Sequence, residues 1–168
     1  MGRLKKALTA IGLFLVSPFY GNAQIQDRAA FSAMLDGMLK HNVPELNVAQ
    51  VSALDDFVFL DARSKEEYEV SHIPGAYWVG YEDFDLDRVP DLDRHKVAVV
   101  YCSIGVRSEK IARKIYESGN QNVANLYGGI FQWVDEDQPV VDENGSTIRV
   151  HAYDRVWGVW LRKGEKVY

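Results

Sequence analysis

The chain has 168 residues, 47% of them apolar and 26% charged, and a net charge of −5 at pH 7. That length suits one domain with a sizeable core, and no repeat, low-complexity run or linker marks a second. The acidic balance, with no stripe of Lys and Arg, argues against a nucleic-acid partner.

Residues 1–23 read as a secretory signal peptide. Arg3, Lys5 and Lys6 are basic, residues 7–16 are mostly apolar, and small residues follow at Gly21 and Ala23. The apolar run is shorter than the ~20 residues a bilayer span requires, so no stable membrane insertion is expected. The expected mature chain, residues 24–168, has a net charge of −8 after loss of those three cations. It is expected to be exported, periplasmic or extracellular, and a monomer.

Residues 24–44 read as an N-terminal helical extension. Phe31, Met34, Leu35, Met38 and Leu39 recur at helical spacing within residues 26–41, and Pro44 breaks the pattern. "VAQVSAL" is a short helix. "DFVFLDA", residues 56–62, is a near-continuous apolar run, as a strand covered on both faces should be. "SKEEYEVS" opens with Ser64 and carries Glu67 three residues on, a capping box. "HIPGAYWVG" turns at Pro74 and Gly75 and enters a strand. Residues 97–101 form a second buried strand. "VRSEKIARKIYESG" is amphipathic and stops at Gly119, "NVANLYGG" is a strand, and "IFQWVDED" a brief helix. The alternation implies an α/β fold with a parallel sheet between helices. Residues 141–168 are rich in β-branched and aromatic residues. They read as a strand or hairpin appendage packed on the domain through Trp157 and Trp160.

The chain has one cysteine, Cys102. In an exported protein a single Cys implies an intermolecular pair, a reactive thiol, or a buried small hydrophobe. Its position favours reactivity: it ends a buried strand and precedes a helix, at the sheet edge where open α/β folds bind ligands. Ser103, Ile104 and Gly105 can curl so that N–H groups converge on one centre. The helix start and Arg107 favour the thiolate, so no histidine base is required.

Three stretches carry a family resemblance. "LDARSKEEYEVSHIPGAYWV", "YCSIGVRS" and "NVANLYGGIFQW" are similar, in order, to the signatures of rhodanese homology domains. The resemblance covers about residues 46–139, within a domain placed at 45–140. It implies a three-layer fold with a five-stranded, mostly parallel sheet flanked by helices. It also implies transfer of a sulfane sulfur through a Cys102 persulfide. The loop would be Ser103, Ile104, Gly105, Val106, Arg107 and Ser108, with Asp61 and Arg63 supporting it. Donors would be thiosulfate or a persulfide; acceptors would be cyanide, a small thiol or a thiol-containing protein. No metal or organic cofactor is implied. Related dual-specificity phosphatases place five residues between Cys and Arg; here four lie between Cys102 and Arg107, a ring too tight for a phosphoryl group. The basic loop residues of two-domain thiosulfate sulfurtransferases are replaced by Ser103, Ile104 and Val106, which fits a less charged donor.

Other residues read differently. Asp61 accepts hydrogen bonds from the Cys102 loop, or is structural; Arg63 reads as structural, paired with Glu67. His72 belongs to a turn, and His41, His95 and His151 lack metal-ligand spacing. Asn144 begins a glycosylation sequon. Trp133 is expected to border the pocket, by the resemblance. Two alternatives to transfer stay open: a non-catalytic binding module on the same fold, and a thiol redox sensor.

Overall fold

The computed structural model describes residues 18–91 and 96–168, with side chains from residue 27. The basic and apolar parts of the expected signal peptide, and His95, lie outside the described residues. The chain order is α1 (Pro18–Met38), β1 (Glu45–Leu46), α2 (Val48–Ser52), β2 (Phe57–Asp61), α3 (Lys65–Val70), β3 (Tyr77–Trp78), β4 (Val97–Tyr101), α4 (Val106–Glu117), β5 (Val123–Leu126) and α5 (Gly129–Asp135). Four short strand pieces and a 3-10 turn follow: β6 (Val140–Asp142), β7 (Gly145–Thr147), β8 (Arg149–His151), the turn Trp157–Trp160, and finally β9 (Glu165–Val167).

Strands β1 to β5 form one sheet in the order β1-β5-β4-β2-β3, with every pairing parallel. The parallel sheet between helices is the one the alternation of elements predicts, and its five strands are the number the resemblance implies. The central strand β4 reads VAVVY, with no polar face, because helices cover both sides. Its alternation still sorts side chains. Val99 and Tyr101 join Phe59, Leu126, Ile130 and α1 on one face. Ala98 and Val100 join Leu60, Ile111, Ala112 and Ile115 of α4 on the other.

Two local expectations are corrected. The N-terminal helix ends at Met38, not residue 41, and His41 beyond it takes a left-handed conformation (φ 51°). The freed amides of Lys40 and Asn42 donate to the buried Glu109 carboxylate. Strand β1 has two residues, too few to carry a period, and lies in a stretch read only as a helix break.

The C-terminal stretch forms two small sheets. Strands β6 and β7 make an antiparallel hairpin, whereas β8 and β9 are parallel and joined through the 3-10 turn. Val150, Ala152 and Leu161 are fully buried in the main core. Asp135 fastens the tail, accepting from the Arg162 N–H and guanidinium and from the Lys163 N–H. Phe31 of α1 meets Trp160 of the tail, ring centres 5.4 Å apart. The two extensions therefore touch each other as well as the domain.

Candidate active site

Cys102 follows β4 directly, so the strand delivers it to the carboxyl edge of the sheet. Gly105 takes φ 107°, which L side chains rarely adopt, and lets the chain turn at once into α4. No side chain caps α4, so its first amides stay available. The Gly105 N–H donates to Cys102 Sγ at 3.2 Å. Burial alone would raise the thiol's pKa. The Arg107 charge and hydrogen bonds from Ser108 and Gly105 outweigh it and hold the thiol below its ordinary value. The Ser108 hydroxyl has one proton and other acceptors nearby, Asn125 Oδ1 at 2.7 Å and the Gly105 carbonyl at 3.1 Å. The Gly105 amide is aimed at the sulfur itself, whereas the Arg107 charge is shared with a carboxylate.

The loop is supported from the start of α5 by Gly129. A Cβ on Gly129 would collide with the Cys102 carbonyl and the Ser103 backbone. That contact lets the Ile130 and Phe131 amides of α5 bond the carbonyls of Cys102 and Ser103 at 2.9 and 3.1 Å.

Arg107 does not stand free. Its guanidinium forms a two-pronged pair with Glu67, both bonds 2.7 Å, and Glu67 also accepts from the Ser103 hydroxyl at 3.1 Å. Desolvation works against the charged form of Glu67. The hydrogen bonds and charge of Arg107 win, and its pKa falls to about 2. Of the two roles the sequence suggests for Glu67, the helix cap is present, Glu67 accepting from the Ser64 N–H at 3.0 Å, while its guanidinium partner is Arg107 and not Arg63.

The expected supporting residues are arranged differently. Asp61 accepts from the Arg63 N–H and guanidinium at 2.6 to 3.1 Å, not from the Cys102 loop. Arg63, fully buried, pairs with Asp61 and with the Ser71 carbonyl instead of Glu67, and so ties β2 to the end of α3. Both support the site at one remove, by fixing the helix that carries Glu67. Trp133 does not border the pocket. It packs edge-on against Phe59 at 5.1 Å and donates to the Pro139 carbonyl. Its place at the mouth is taken by Trp157 and Tyr153, which had no local signal of this role.

Cys102 is 1% exposed, and it is reached through a pocket of about 180 Å³. Ser103, Ile104, Val106, Arg107, Met38, Tyr153 and Trp157 complete its lining. Among the described residues, no group of three or more His, Cys, Asp or Glu gathers as a metal site would require, and no helix is long and apolar enough to cross a membrane.

A strand-loop-helix cradle around one cysteine, on an all-parallel five-stranded sheet, defines a class, and comparison with known proteins gives the family. The family model for the rhodanese-like domain matches residues 47–136, and the chain belongs to that family. It is 32% identical over 131 residues to a tRNA uridine(34) hydroxylase of Erwinia tasmaniensis, covering 73% of this chain and 35% of that protein. It is 31% identical over 96 residues to an adenylyltransferase and sulfurtransferase of Meyerozyma guilliermondii, covering 53% of this chain and 22% of that one. The chain thus spans about a third or less of these relatives. Among solved structures, a thiosulfate sulfurtransferase from Pseudomonas aeruginosa superposes with a TM-score of 0.53 at 26% identity, over 69% of this chain and 23% of that one.

Proposed function

We propose that this protein is a sulfurtransferase whose Cys102 carries a sulfane sulfur between a small donor and a thiol or cyanide. The Cys102 loop carries this reading: a thiol held below its ordinary pKa by Arg107 and the loop hydrogen bonds, four residues from that arginine. The thiolate attacks the donor's outer sulfur. A Cys102–sulfur bond forms, the donor's sulfur–sulfur bond breaks, and the leaving group departs with its electron pair. The persulfide's terminal sulfur sits where the Gly105 amide and the start of α4 can hold a negative charge. An acceptor thiolate or cyanide then takes that sulfur and regenerates the Cys102 thiolate. The two half-reactions give ping-pong kinetics.

The test is the intact mass of the protein after treatment with thiosulfate or a thiosulfonate. Gain of one sulfur, reversed by cyanide and absent in Cys102→Ser, is expected. Gain of oxygen under peroxide, with no sulfur from any donor, would establish the redox-sensor alternative. No change under either treatment would leave a binding module. We also propose export, so N-terminal sequencing of the secreted product should begin at Gln24 or within a residue or two. An uncleaved membrane-bound product would overturn that.

A further inference from the structure

The pocket over Cys102 has a wall that the family match does not include. Met38 ends α1, and Tyr153 and Trp157 come from the C-terminal tail; all three lie outside residues 47–136. With Ile104 and Val106 they present apolar surface beside the cysteine. The volume, about 180 Å³, is comparable to the ~150 Å³ apolar cavity that accepts one benzene.

Two observations say what belongs there. Tyr153 has φ 65°, a conformation unfavourable for an aromatic residue, yet it remains 47% exposed. The strain gains no core burial; it places the ring at the mouth, 4.8 Å from the Arg107 guanidinium carbon. The second is charge. Arg107 is the lone cation in the lining, and Glu67 already neutralises it. With Cys102 as thiolate the site is net negative. A dianionic donor such as thiosulfate meets that charge unbalanced, whereas a singly charged donor with a hydrocarbon group gains from burying it.

We propose that Met38, Tyr153 and Trp157 form an apolar subsite for the non-transferred part of an organic sulfane-sulfur donor, an aryl or alkyl group about the size of a benzene ring. This rests on the sulfurtransferase reading. With benzenethiosulfonate as probe, the Cys102 thiolate bonds to the outer sulfur, the donor's sulfur–sulfur bond breaks, and benzenesulfinate leaves with the electron pair.

The experiment compares rates of one-sulfur gain by Cys102 from benzenethiosulfonate, methanethiosulfonate and thiosulfate, each divided by that donor's rate with free glutathione. The benzene donor should exceed the methane donor by on the order of 10- to 10²-fold, and thiosulfate should be slowest. Trp157→Ala should remove most of that preference. So should Tyr153→Gly, which suits the left-handed backbone and removes the ring without a folding penalty from φ. A normalised ratio near one, or a ratio unchanged in both variants, overturns the subsite. Calorimetry on Cys102→Ser separates it from the chemistry. Binding of benzenesulfinate in preference to methanesulfinate, lost in a Trp157→Ala background, would sustain the subsite even if no donor loads sulfur. Sulfur loading with no such binding preference would sustain the transferase and sink the subsite.

Discussion

Cys102 is buried, and burial disfavours a thiolate; the loop reverses that only because charge and hydrogen bonds converge on one sulfur. Alkylation rates against pH should therefore inflect below about 8.5, the free-thiol value. Arg107→Ala should move the inflection up and slow persulfide formation by about 10² to 10³, on the order of one lost oxyanion-type donor. An inflection that stays put in Arg107→Ala would mean the guanidinium does not act on the sulfur. Glu67 supplies a second reading of the same charge pair. Its folded pKa, about 2, lies below the ordinary 4.5, so its contribution to stability is complete above pH 4.5 and is lost as pH falls toward 2. The loss is on the order of 3 kcal/mol, discounted for the partial exposure of Arg107. Denaturant titrations across that window should show the slope in the parent and lack it in Glu67→Gln.

Among the elements, three parallel strands end at one edge, and each contributes a different kind of group. Strand β4 leads to the nucleophile, β2 leads into α3 and its Glu67, and β5 leads to Gly129 at the start of α5, which lets the loop close. Gly129→Ala should be disabling twice over. The left-handed conformation (φ 56°) costs an L residue about 1–2 kcal/mol, and the added carbon must displace the Cys102 carbonyl. Thermal melts should fall and sulfur loading should be lost with them. Gly37→Ala is the opposite case. Gly37 lies in α1, and its Cβ would meet nothing within 4 Å. That variant should gain ~0.5–1 kcal/mol.

Across the whole molecule, the N-terminal helix and the tail do not decorate a finished domain; they complete its core and wall its site. Phe31, Leu35 and Leu39 from one end, and Val150, Ala152 and Leu161 from the other, are buried in the same cluster. Phe31→Ala should cost about 3–5 kcal/mol. A double-mutant cycle with Trp160→Ala should give a coupling of ~0.5–1.5 kcal/mol, as for other aromatic pairs. Additive effects would show that the two extensions are energetically independent.

The sheet and the cysteine loop were legible in the sequence because their signals are local. Residues 57–60 and 97–101 are unbroken apolar runs, and Cys102, Gly105 and Arg107 lie in one short stretch between strand and helix. The sequence by itself therefore determined the parallel α/β scaffold and the nucleophile. The tertiary structure decided what surrounds that nucleophile. Glu67 reaches Arg107 across 40 residues, and its local pattern, a capping box, accounts for it without any partner in the loop. Asp61 and Arg63 pair two residues apart because both are buried, and Nη1 of Arg63 is left without a hydrogen-bond partner among the described residues. Met38, Tyr153 and Trp157 meet only where α1 and the tail pack on one face of the sheet. No period or spacing encodes a contact between chain ends; it follows from which apolar faces were left to cover.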